Sequence, residues 1–113
     1  MEKFKAQLNN LRISPRKVRL VADLIRGKKV EEARNILKFT VKRAARPLEK
    51  LLSSAATNAK HNFQLEEESL FVQEIRVDKG RTLKRFRPVS RGRTAPIAKR
   101  TSHITIVLEK HGS

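Results

Sequence analysis

The sequence predicts an α+β fold: three helices packed on a small three-stranded antiparallel sheet, with a long protruding β-hairpin. Three observations carry that reading. Apolar residues recur at helical spacing in three stretches between residues 14 and 62. They alternate with polar residues in three other stretches, one ahead of the helical block and two behind it. Between the last two lies a basic segment too poor in apolar side chains to pack a face of its own. A length of 113 residues suits one domain, 1–113, with a body over 1–78 and 102–113 and an extended basic hairpin over 79–101.

The first strand is marked by Phe4, Ala6 and Leu8, which alternate with polar residues up to Asn9-Asn10. The first helix opens at Ser14-Pro15. Ser14 is placed to cap the free amide groups, and Pro15 suits the first helical position, where an N–H has no partner anyway. Val18, Val21, Ala22 and Ile25 share its apolar face, and Gly27 fits the left-handed position just past its end. A second helix is predicted over Val30 to Phe39, with Glu31 and Glu32 in its first turn and Lys38 in its last, both favourable to the helix dipole. The third runs from about Lys42 to Asn62, with Ala45, Leu48, Leu52, Ala55, Ala56 and Ala59 on its buried face. Pro47 conflicts with a start at Lys42, so the helix either begins near Arg46 or bends there. Phe71, Ile75 and Val77 mark the second strand; Ile104, Ile106 and Leu108 mark the third. Val21, Ile25, Leu52 and Ile106 are expected to share one core, and Phe4, Phe39 and Phe71 to join it.

Charge narrows the function. The chain carries 27 Lys and Arg against 11 Asp and Glu, a formal +16, and nine basic residues with no acidic one lie between Lys79 and Arg100. A single-sign stretch of that length belongs against phosphates or in a basic tail. The absence of cysteine removes disulfide scaffolds, thiolate metal sites and cysteine nucleophiles. No apolar run approaches the ~20 residues of a membrane span, and the start of the chain does not read as a signal or transit peptide. A soluble intracellular protein with a nucleic-acid partner is expected, with no membrane partner and no homo-oligomer.

Catalytic patterns are missing. His61, His103 and His111 stand in no metal-ligand spacing, and Glu66-Glu67-Glu68 reads as a solvated loop. Ser53-Ser54 lies in no nucleophile elbow and the glycines form no phosphate loop, so neither an enzyme nor a cofactor is expected. With no Trp or Tyr, recognition has to rest on phosphates, shape and arginine. Arg12, Arg16, Lys17 and Arg19 are placed for backbone contact. The first two helices could instead form a DNA-binding helix-turn-helix across Gly27-Lys28-Lys29, a regulator with a basic tail; Glu31-Glu32 at the start of its second helix would face phosphates badly.

Several stretches carry a resemblance: Ser14-Pro15-Arg16-Lys17-Val18-Arg19 with Asp23-Leu24-Ile25-Arg26-Gly27, Ser54-Ala55 with Asn58-Ala59, and Gly92-Arg93 with Lys99-Arg100-Thr101-Ser102-His103-Ile104-Thr105. Together they resemble bacterial large-subunit ribosomal protein twenty-two, over nearly the whole chain. The resemblance implies a structural constituent of the large ribosomal subunit, cytoplasmic or in an organelle such as a plastid. It would bind large-subunit ribosomal RNA, contact neighbouring large-subunit proteins and support assembly. It also implies that the hairpin reaches the wall of the nascent-peptide exit tunnel, with a tip at Arg91, Gly92, Arg93, Thr94 and Ala95 meeting the nascent peptide. RNA contacts are then expected at Arg12, Arg16, Lys17 and Arg19 and, along the hairpin, at Lys84, Arg85, Arg87, Arg91, Arg93, Lys99 and Arg100. Leu83-Lys84-Arg85 matches the segment implicated in macrolide response. The family's hairpin usually reads Pro-Arg-Ala-basic-Gly-Arg, where this chain has Pro88-Val89-Ser90-Arg91-Gly92-Arg93.

Overall fold

The computed structural model describes the backbone of residues 3–63, 66, 69–88 and 94–110, and the side chains of 3–61, 66, 69–82 and 100–110. Along the chain run β1 (Lys3–Leu11), α1 (Pro15–Ile25), α2 (Val30–Phe39), α3 (Ala45–Phe63), β2 (Leu70–Pro88) and β3 (Thr94–Lys110). The strands form one antiparallel sheet in the order β1-β3-β2, so the last strand of the chain is the central one. Three helices on a three-stranded antiparallel sheet are the α+β arrangement expected.

Each helix buries its apolar stripe in one core shared with the sheet. α1 buries Pro15, Val18, Val21, Ala22 and Ile25. Ser14 holds the N-cap position, yet its hydroxyl makes no capping bond; its carbonyl accepts from the Val18 N–H at 3.1 Å instead. Gly27 sits at φ +78°, the left-handed turn that ends this helix. α2 buries Val30, Ala33 and Leu37. Phe39 does not join the core and is 79% exposed. It lies two residues past Leu37, about 200° further round the helix, and so points away.

Pro47 neither bends nor breaks α3. The helix begins at Ala45, which makes Pro47 the third residue of its first turn, where no helical N–H partner is lost. The first full-turn bond runs from the Leu48 N–H to the Ala44 carbonyl at 3.3 Å. From there Leu48, Leu51, Leu52, Ala55, Ala56 and Ala59 are buried, and the alanines let the helix lie close to its neighbours.

The sheet's inner face is built from Phe4 on β1, Ile104, Ile106 and Leu108 on β3, and Leu70, Val72, Ile75 and Val77 on β2. Phe71 is only half-buried, because β2 is bulged between Val72 and Glu74. One extra residue inverts the inside–outside alternation, so the inner set runs 70, 72, 75, 77 rather than 71, 75, 77. β1 also continues past Asn9-Asn10 to Leu11 through a bulge, with Asn10 at φ +59°. Beyond the body, β2 and β3 stay paired from Lys79↔Ser102 to Pro88↔Thr94. The radius of gyration is 17.2 Å and the extents are 67 × 25 × 18 Å. A compact chain of this length would have a radius near ~13 Å, so the molecule is elongated.

Candidate nucleic-acid interface

At the base of the paired arm, several of the basic side chains expected to meet RNA come together. The connection between β1 and α1 is pinned there: the Ile13 N–H donates to the Leu11 carbonyl at 2.8 Å, and the buried Ser102 hydroxyl donates to the Ile13 carbonyl at 2.6 Å. That anchoring sets Arg12 and Lys17 on one side of a cleft of about 540 Å³. Arg100 comes in from β3, and Lys42 and Arg43 from the turn ahead of α3. Five cationic side chains thus surround one cleft, all exposed and none ion-paired within the described residues. Ile13 and Ala44, both buried, form its floor, and Leu20 stands on its rim.

Three of the five, Arg12, Lys17 and Arg100, are among the residues expected from sequence. Lys42 and Arg43 are not. The signal for them is a Lys-Arg doublet immediately before a helix, which acquires meaning only when the fold brings it to the same cleft as Lys17. Arg16 is exposed on α1 but does not line the cleft. Arg19 has a structural partner: its Nη2 donates to the Val77 carbonyl at 3.0 Å, and Arg26 Nη2 donates likewise to the Ile75 carbonyl at 2.8 Å. Arg26 is also paired with Asp23.

Behind Arg12 lies a second concavity lined by Asn9, Asn10, Arg12, Arg81, Thr101 and His103. Here two bulges face one stretch of β3: that of β1 between Leu8 and Leu11, and one in β2 between Lys79 and Thr82. The Asn10 N–H donates to His103 Nδ1 at 3.1 Å, and the Thr101 hydroxyl donates to the Arg81 carbonyl at 2.6 Å. Paired bulges add twist and bend where the arm leaves the body. Lys84, Arg85, Arg87 and Lys99 lie on the paired strands of the arm, and their side chains lie outside the described residues. Of the expected tip, Thr94 and Ala95 pair with Pro88 and Arg87, while Arg91, Gly92 and Arg93 lie outside the described residues. Among the described residues no cluster of His, Asp and Glu is suited to a metal, and no helix is long and apolar enough to cross a membrane.

Comparison with known proteins decides the family. Residues 6–109 match the family described as ribosomal protein L22p/L17e. The chain is 54% identical over 106 residues to the large ribosomal subunit proteins uL22 of two strains of Lactobacillus delbrueckii subsp. bulgaricus, covering 94% of this chain and 91% of each of theirs. The chain belongs to the L22p/L17e family of ribosomal proteins. The matched span takes in all five cleft cations and the whole paired arm, so the features gathered at the arm's base fall within the family's own domain.

Proposed function

We propose that this chain is a structural constituent of the large ribosomal subunit. Its body grips large-subunit ribosomal RNA, and its arm extends towards the nascent-peptide exit tunnel. It works in the cytoplasmic ribosome as a single copy, beside neighbouring large-subunit proteins, and has no catalytic role. The observation that carries the reading is the convergence of Arg12, Lys17, Lys42, Arg43 and Arg100 on one cleft at the root of a basic arm, in a member of a ribosomal family. Cations at that density, none ion-paired among the described residues, repel one another; RNA phosphates relieve that repulsion, and binding also releases the counterions condensed on the RNA. A helix-turn-helix regulator is the poorer reading, because α2 opens on the exposed acids Glu31 and Glu32.

Salt titration tests it. The affinity for large-subunit RNA should fall linearly on a log–log plot, by roughly 0.7–0.9 per phosphate neutralised. Replacing Arg12, Lys17 and Arg100 together by Gln should make the slope shallower by about two to three units on the same rule. An unchanged slope would mean that the cleft faces water.

A further inference from the structure

The five cations suit phosphate, but they do not explain the exposed leucine, Leu20, that lines the cleft with them. A regular RNA duplex presents phosphates and riboses to a protein surface and keeps its base faces stacked. Against such a duplex, the 61% exposed Leu20 at the rim of the cleft would find nothing to cover it. A ligand that satisfies the whole cleft carries a flat apolar face flanked by negative charge on both sides.

We propose that the cleft takes a single unstacked nucleotide of the RNA, its base laid against Leu20 and its two flanking phosphates held by the cations around it. The inference rests on the RNA-binding reading above and says what that site selects. The walls fit the task. Lys17 and Leu20 are three apart on α1 and therefore neighbours on one face. Lys42 and Arg43 stand on the turn before α3, and Arg12 and Arg100 stand at the arm's root. A base entering the cleft therefore has cations from several parts of the chain around it. The volume, about 540 Å³, lies within the ~300–1,000 Å³ of pockets that enclose small ligands. Among the described residues no acidic side chain lines it, which favours a nucleotide over an acidic peptide: each nucleotide brings its charge beside its flat face, whereas a peptide must place aromatic and acidic side chains separately.

The test uses the full chain and three synthetic RNA duplexes of one sequence: flush, with one bulged adenosine, and with an abasic bulge at the same place. The abasic form keeps the backbone and charge of the bulge and lacks only the base. Adenosine-bulged duplex should bind about threefold or more tighter than the abasic one, the gain expected from burying roughly 25 Å² of apolar surface against Leu20. Leu20→Asn should abolish that ratio and leave the salt slope unchanged, while Leu20→Met should retain it. Because Leu20 is mostly exposed, thermal melts of these variants should match the parent. Equal binding of adenosine and abasic bulges by the parent protein overturns the proposal, as does a ratio that survives Leu20→Asn. Displacement of the bulged duplex by an alternating Glu-Phe peptide, in a manner lost with Leu20→Asn, would assign the cleft to a protein partner and overturn it too. Salt-dependent binding of large-subunit RNA alongside equal bulge affinities would sink this inference alone; failure to bind that RNA at all would sink the functional reading beneath it.

Discussion

Gly27 and Gly80 are required for different physical reasons, and substitution separates them. A Cβ at Gly27 would meet nothing within 4 Å, so the only obstacle is its φ of +78°. Ala there should cost about 1–2 kcal/mol, the penalty of left-handed backbone for an L-residue. At Gly80 a Cβ would come within 2.5 Å of the Thr101 hydroxyl oxygen and 3.2 Å of the His103 ring. That hydroxyl is held by its bond to the Arg81 carbonyl, so it has little freedom to move aside. Gly80→Ala should therefore cost about 1–3 kcal/mol through overpacking. Combined with Thr101→Ala it should cost less than alone, whereas Gly27→Ala should add independently to Thr101→Ala. Urea unfolding of the single and double variants measures both. Strict additivity at Gly80 would show that the strand root yields to the methyl group.

Among the elements, β2 is the one whose exposed edge is most closely managed. As an outer strand it carries backbone groups that could recruit another chain. The Gly27 N–H donates to the Val72 carbonyl at 3.0 Å, and the Val72 N–H donates to the Lys28 carbonyl at 2.8 Å. Past the bulge, Arg26 and Arg19 occupy the Ile75 and Val77 carbonyls. Replacing both arginines by Gln should lower stability by roughly 0.5–1.5 kcal/mol for each bond lost. A combined change below about 0.5 kcal/mol, read from denaturant midpoints, would show these guanidinium groups to be free of the edge. This arrangement also marks the limit of what could be read from sequence. The extents of α1 and α2 were legible, because proline, glycine and end charges punctuate a clear apolar period. The parity of β2 was not, since a single extra residue at the bulge moves Val72 inward and Phe71 outward without altering composition. Phe39 misled for a similar reason: its type suits a core, and its angle on α2 does not. In the cleft, the Lys42-Arg43 doublet was not legible, because it lies far from Arg12, Lys17 and Arg100 in sequence and joins them only in the fold. Arg100 was legible from the run of basic residues that it closes. Arg12 and Lys17 were legible because they flank the start of one helix.

Across the whole molecule, the core comprises side chains from 4–77 and 104–108 among the described residues, and the arm continues the sheet away from it. A two-stranded ribbon without a core beneath it is marginal in water, so the ordering of the arm is expected to depend on RNA. The body should then fold without residues 83–98. Deleting them and joining the ends by a short turn should leave the melting temperature nearly unchanged, and trypsin should cut the free parent first between Lys84 and Arg100. Loss of folding on deletion would place the arm within the folding unit. In the function proposed above, these two halves divide the labour: the cleft would supply attachment, and the arm would supply reach. Sucrose-gradient sedimentation of cell lysates, blotted for the tagged chain, tests that division most directly. The parent and the arm-deleted protein should both travel with the large ribosomal subunit, while a variant with Arg12, Lys17, Lys42, Arg43 and Arg100 all changed to Gln should remain near the top of the gradient. A parent protein confined to the light fractions, or a five-fold variant that sediments with the subunit as the parent does, would contradict the account.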